Sequence, residues 1–290
     1  MSNLKGLGVA LVTPFNEDLS VDFDSLTKLV DYNIQNGTNY LVVLGTTAEA
    51  ATLSKEEKSQ VINHIIKANN GRLPLVLGIG GNDTMEVKKQ LEEADLSAFE
   101  AILSVSPYYN RPNQEGLYQH YKVLAGTGKK IIIYNVPSRT GQNVEAATTL
   151  RLANDFPNLI MIKEAGPNIA QYFDILRQKP ANFSLVSGDD EYTLPVTLAG
   201  GDGVISVIGQ GYPKEFSTMV QLAFDGKVKE AYEIHNKLVE ITRMIFAEGN
   251  PAGIKTILAE KGILKNYLRL PLVAASSGLQ DKIKAEMKKI

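Results

Sequence analysis

Eight short apolar runs, spaced by longer amphipathic stretches, constrain this chain more than any other feature. They are GVALVT (8–13), YLVVLG (40–45), LVLGIG (75–80), AILSVS (101–106), KIIIYNV (130–136), LIMIKEA (159–165), FSLVSG (183–188) and VISVIG (204–209). Each is rich in β-branched residues and too short to make a good helix, so each reads as a strand. The spacers have helical periodicity. Residues 22–36 set Phe23, Leu26, Leu29 or Val30, and Ile34 along one side, and 54–69 opens with the capping-box pair Ser54 and Glu57. The pattern repeats at 83–94, 114–125, 144–156, 169–178 and 191–199. In the last of these Pro195 is compatible with a helix only in its first turn.

Strands buried on both faces and separated by helices of this length imply a parallel sheet with crossover helices. Eight such units predict a closed (β/α)8 barrel, the TIM-barrel architecture, although a doubly wound open sheet is built from the same units. From Pro213 the chain reads as helices only: 213–226, 227–247, 251–262 and a segment near 277–288. The first can complete the barrel. This gives a barrel domain over 1–225 and a C-terminal helical extension over 226–290.

Composition removes several classes of function. Thirty basic against thirty-two acidic residues leave a net charge of -2, without the basic excess of a phosphate-backbone binder, so no nucleic-acid partner is expected. Cys is absent, which excludes disulfides, iron–sulfur clusters and thiolate nucleophiles. The amino terminus has only a short apolar run before Pro14, so neither signal peptide nor membrane span is expected, and the reading is a soluble cytoplasmic protein. The three histidines, His64, His120 and His235, lie far apart and fit no zinc motif, so neither metal nor cofactor is expected. GIGGND (78–83) lacks GxGxxG and no GxxxxGK[ST] occurs, so dinucleotide and nucleotide-triphosphate readings fall.

In a barrel, chemistry gathers where strands end. Lys163 ends the sixth strand, and strict alternation puts Leu159, Met161 and Lys163 on one side of it. Partial desolvation there favours the neutral amine that can attack a carbonyl; the alternative is a lysine paired with Glu164 or reaching for the rim. Tyr134 ends the fifth strand and could move protons, or simply close the top layer of the barrel. Arg139, in the loop beyond Pro137, could grip a carboxylate through two parallel hydrogen bonds, or be solvated. GTTAEA (45–50) brings Thr46 and Thr47 and could cradle a carboxylate, although helix-entry capping explains the same composition. SGDDEY (187–192) and GQG (209–211) read as weak anion-binding turns. SPYYNRP (106–112) sets Tyr108 and Tyr109 on a proline-stiffened loop suited to an interface or a ligand.

Taken together, GVALVTPF, GTTAEAATLS, SPYYNRPNQEGLYQHY, YNVPSRTG, MIKEA and SGDD resemble the dihydrodipicolinate synthase family, also called 4-hydroxy-tetrahydrodipicolinate synthases, over nearly the whole chain. These are class I aldolases, related to N-acetylneuraminate lyase. The resemblance implies that Lys163 forms a Schiff base with pyruvate, which then condenses with L-aspartate 4-semialdehyde in the diaminopimelate route to lysine. It implies a proton relay of Tyr134, Thr47 and Tyr109, the last from the partner subunit of a tight dimer. Arg139 would receive the semialdehyde, and Thr46, Gly188 and Ile205 would line the pyruvate pocket. A homotetramer built as a dimer of dimers is the family's usual assembly. VPSRTG favours the synthase over the sialic-acid lyase branch or a 2-keto-3-deoxy sugar-acid aldolase. A catalytically silent barrel would have lost the reactive residues, and none is lost.

One motif departs from the family pattern: Ala48 and Ala50 replace the Gly and Ser of GTTGES. Ala48 is tolerable if its φ is negative. Ala50, with Asn82, Glu86 and Tyr108, matches an allosteric pocket of lysine-inhibited members. Lys55 and Lys58 stand where some of those members have histidines, so the resemblance implies weak or absent feedback inhibition by L-lysine.

Overall fold

In the computed structural model, which describes residues 4–290, eight parallel strands close into a barrel in sequence order, β1 to β8. They are β1 (Gly6–Ala10), β2 (Tyr40–Val43), β3 (Leu75–Gly78), β4 (Ala101–Val105), β5 (Ile131–Asn135), β6 (Leu159–Glu164), β7 (Ser184–Ser187) and β8 (Gly203–Ser206). All eight expected runs supply a strand. β1 begins two residues earlier than the alternation suggested, because Gly6 to Val9 pair with Gly203 to Ser206 and so close the barrel. The open-sheet alternative is thereby excluded.

The helices follow the expected spacing: α1 (Phe23–Gln35), α2 (Lys55–Asn69), α3 (Thr84–Glu93), α4 (Gln114–Ala125), a short α5 (Pro137–Thr140), α6 (Ala146–Asp155), α7 (Ile169–Gln178), α8 (Thr193–Leu198) and α9 (Pro213–Phe224). Side-chain caps start several of them. Asp22 accepts from Ser25 N, Asp83 from Met85 N and Asn113 from Gly116 N. Ser54 and Glu57 form both bonds of the capping box at 3.1 and 2.9 Å. Pro195 falls in the first turn of α8, where its missing N–H breaks no intrahelical bond. The extension consists of α10 (Val228–Phe246), α11 (Ala252–Glu260) and α12 (Ser277–Met287). α10 packs on α8 and α9.

Two shells of apolar side chains result. Val42, Val76, Leu103, Ile132, Met161, Val186 and Ile205 fill the barrel interior, while alternate strand residues meet the helices outside. Tyr40 reaches across the interior to donate to the Val204 carbonyl, and a Cβ on Gly8 would lie 2.2 Å from its ring, so only glycine fits beside it. Strict alternation fails at one place. Ile131 pairs with Leu159 but Ile132 with Met161, so Ile160 is an extra residue in β6. Leu159 therefore joins the outer shell and does not share a side with Met161 and Lys163.

Candidate active site

A cavity of about 440 Å³ opens at the carboxyl ends of the strands and brings together Thr46, Thr47, Tyr134, Arg139, Lys163 and Gly188. Lys163 is 5% exposed, and its Nζ lies 4.4 Å from the centre of the Tyr134 ring. The two residues are direct neighbours across β5 and β6, so the ladder itself sets their spacing. A Cβ on Gly188 would come within 2.8 Å of the Lys163 Cε, so a side chain there would crowd the lysine stem.

Lys163 is not paired with Glu164. The Glu164 carboxylate lies on the other side of β6, fully buried. It accepts from Asn135 Nδ2 at 2.8 Å, Gln171 Nε2 at 2.8 Å and the Gly166 N–H at 2.6 Å. Asn135 also donates to Asn143 Oδ1 and accepts from the Val144 N–H. Burial pushes the Glu164 carboxyl up, and these donors oppose the shift. The cage joins the residue after Tyr134 to the residue after Lys163. It fixes both strand ends so that tyrosine and lysine face inward, while Lys163 has no ion-pair partner among the described residues.

Thr47 is buried, and its Oγ1 accepts from Asn250 Nδ2 at 2.9 Å; no bond to Tyr134 is present among the described residues. Ala48 carries no positive φ, as its methyl requires; the left-handed residue of this segment is Glu49, at φ 54. Arg139 stands on α5 at the cavity wall with its side chain exposed. Ile205 is fully buried in the inner barrel shell, outside the cavity lining. Tyr109 is 90% exposed at φ 70, on the turn after β4, and does not line the cavity. Beside it Tyr108 is exposed, and Asn110 donates to the Asn82 carbonyl, tying this turn to the β3 loop. Glu86 is exposed on α3, whereas Ala50, Lys55 and Lys58 belong to the β2 loop and the start of α2.

The weak anion-turn readings are corrected by their own partners. The N–H groups of Val207 and Ile208 both donate to Asp190 Oδ2 at 3.0 Å, so the SGDDEY carboxylate already occupies that turn. Burial raises the Asp190 carboxyl to about 6. Gln210 of GQG is consumed by the Val12 N–H and the Ala10 carbonyl.

Sequence reasoning missed the wall supplied by α10 and the turn after it: Thr242, Arg243, Phe246 and Asn250. Arg243 grips Glu191 with two donors, and this contact holds the Glu191 carboxyl below its usual range. A helical pattern marks which face of α10 is apolar but not what its polar face covers. The Asn-Pro pair at 250–251 was the one local cue that something follows the helix. The histidines are spread as expected, with His64 on Thr27 and His120 on Thr84. No group of three His, Cys, Asp or Glu side chains among the described residues could hold a metal ion. No described helix is long and apolar enough to cross a membrane.

Fold and cavity together define a (β/α)8-barrel protein with one enclosed lysine at the carboxyl end of its sixth strand. The chain belongs to the dihydrodipicolinate synthetase family, whose model matches residues 3–290. It is 56% identical over 279 residues to the 4-hydroxy-tetrahydrodipicolinate synthase of Flavobacterium psychrophilum, covering 96% of this chain and 95% of that protein. To the enzyme of the same name from Parabacteroides distasonis it is 52% identical, covering 99% and 97%. The chloride-inhibited dihydrodipicolinate synthase of Acinetobacter baumannii, solved with pyruvate, superposes with a TM-score of 0.95 at 38% identity, covering 99% of this chain and 98% of the other.

Proposed function

We propose that this chain is a 4-hydroxy-tetrahydrodipicolinate synthase, a Schiff-base lyase that condenses pyruvate with L-aspartate 4-semialdehyde on the diaminopimelate route to lysine. The observation that carries the reading is Lys163, enclosed, without an ion-pair partner among the described residues, and packed against the Tyr134 ring under Gly188. A primary amine held at the wall of this cavity is placed to attack the carbonyl of a bound 2-oxo acid.

Pyruvate enters with its carboxylate toward the Thr46–Thr47 segment. The Lys163 amine adds to the keto carbon, and Tyr134 delivers the proton that lets the hydroxyl leave as water. The resulting iminium draws electrons from the neighbouring methyl group, which loses a proton to give the enamine. The enamine carbon then bonds to the aldehyde carbon of the semialdehyde, whose carboxylate rests on Arg139. The semialdehyde's own amine next attacks the iminium carbon, closes the ring and releases Lys163. Tyr134 and Thr47 serve the proton steps, since a hydroxyl both donates and accepts. Tyr109 completes the relay from a second copy of the chain, in a dimer that pairs again into a tetramer. Residues 1–225 form the catalytic domain and 226–290 a helical domain that walls one side of its cavity. Both substrates are small and water-soluble, and we assign the enzyme to the cytoplasm.

A coupled assay with pyruvate and several aldehydes tests the assignment. Turnover of L-aspartate 4-semialdehyde far above that of N-acetylmannosamine or sugar-acid aldehydes is expected. The reverse order would place the chain in the lyase branch.

A further inference from the structure

The segment after β2 is held by buried charges that come from the far end of the chain. Glu49 lies between two 3-10 turns, Thr46–Ala48 and Ala50–Thr52, in a left-handed conformation that a non-glycine residue keeps only when its surroundings hold it there. Its side chain is fully buried against Lys255 of α11, also fully buried, at 2.5 Å. Its second oxygen accepts from the Arg269 N–H at 3.0 Å. Lys255 also donates to the Tyr267 carbonyl at 2.8 Å and lies 4.3 Å from the centre of the Phe15 ring. The Arg269 guanidinium covers the same ring, donates to the carbonyls of Thr52 and Leu19, and pairs with Glu57 at the start of α2.

A buried ion pair is poor evidence for stability, because desolvation offsets its attraction and apolar replacements of similar volume often serve as well. What this one does is specify geometry. It grips the loop two residues beyond Thr47, whose own hydroxyl is held by the Asn250 amide. The Thr46–Thr47 segment is thus held at Thr47 and again at Glu49 by residues 250–269.

We infer that Lys255 and Arg269, acting through Glu49, are positioning residues that set the Thr46–Thr47 segment against the pyruvate end of the cavity. The inference rests on the pyruvate reading of that segment. It adds a clamp on the pyruvate end to the cavity wall that the C-terminal extension already supplies, while Arg139, proposed for the semialdehyde, stands apart on α5.

The test is the full-length double variant E49Q/K255M, which removes both charges at nearly constant volume. The thermal midpoint should match or exceed the parent's. The pyruvate KM should rise and kcat fall, together lowering kcat/KM for pyruvate by about 100-fold, the scale expected for a misplacement of about 1 Å. The semialdehyde KM should stay within about twofold, an effect under 0.5 kcal/mol by the same free-energy relation. Parent-like pyruvate kinetics, or a loss shared equally by both substrates, would overturn the inference. A second arm reads the pH profile. Burial lowers the Lys255 ammonium to about 8, with Arg269 pushing the same way and Glu49 opposing. As that proton leaves, Glu49 loses its partner, so kcat/KM for pyruvate in the parent should fall as the pH rises through about 8. The parent profile is read against that of Glu49→Gln, which has no ion pair to lose; a ratio that does not fall as the pH rises through about 8 contradicts the clamp even if the double variant does not fold. Borohydride trapping of pyruvate by the parent keeps the two questions apart: its failure sinks the pyruvate reading itself, not the clamp alone.

Discussion

The loops after β2 and β4 each carry one hydroxyl of the proposed relay, and they are built in opposite ways. The β2 loop is buried: Thr47 is bonded to Asn250, and Glu49 to Lys255 and Arg269, all within one chain. The β4 loop projects outward. Tyr109 and Arg111 both take left-handed backbone angles, and Tyr109 is 90% exposed. Exposed aromatics on a strained turn offer large contact area, and in the proposed dimer this one would be covered by the second copy. Under the proposed relay, the β2 side is supplied within one chain and the β4 side by a second copy.

The largest effects should come from removing either hydroxyl. Thr47→Val and Tyr109→Phe should each lower kcat by about 10² to 10⁴-fold, the range of general acid–base contributions. The two loops should then separate in a mixing experiment. Tyr109→Phe combined with Lys163→Ala should regain activity as subunits exchange, because a mixed dimer holds one site with an intact lysine and an intact tyrosine. Thr47→Val combined with Lys163→Ala should stay inactive, since Thr47 and Lys163 serve the same site. Recovery in the second mixture would break the comparison.

Asn250→Ala frees the Thr47 hydroxyl without touching the reacting atoms. A loss of about tenfold in kcat is expected, equivalent to about one hydrogen bond, with no change in oligomeric state by light scattering.

The helix that follows the β4 loop carries a buried histidine. His120 of α4 is bonded to Thr84, and burial lowers its pKa to about 4. The unfolded chain takes up that proton below about 6.5, whereas the folded one does so only below about 4. The stabilisation from keeping His120 neutral is therefore complete above about 6.5 and is lost as the pH falls toward about 4, by about 3 kcal/mol. Denaturant titrations of His120→Asn across that range should show a shallower slope than the parent, with activity near neutrality unchanged.

The smallest effect concerns L-lysine. Lys55 and Lys58 add two cations beside the β2 loop, so titration of the amino acid at saturating substrates should leave the rate nearly unchanged. Sub-millimolar inhibition would show that the exposed Tyr108, Asn82 and Glu86 side forms a working ligand site despite them.

Much of this arrangement was legible in the sequence because strand ends are legible. Lys163, Tyr134, Gly188 and the two threonines end apolar runs, and a closed barrel must bring such positions to one face. Three features were not. An inserted residue at Ile160 is invisible to an alternation rule, which assumes an unbroken ladder. The left-handed turns at Glu49 and Tyr109 involve residues that do not advertise positive φ. The contacts of Asn250, Lys255 and Arg269 with the β2 loop span more than 200 positions, and no local pattern encodes a partner so distant.

The central claim is that Lys163 is the nucleophile, and chemical trapping tests it most directly. Incubation with pyruvate and borohydride, followed by peptide mass mapping, should place a single reduced adduct on the peptide containing Lys163 and none on Lys163→Ala. A parent chain that gains no adduct, or gains it on another lysine, would contradict the account.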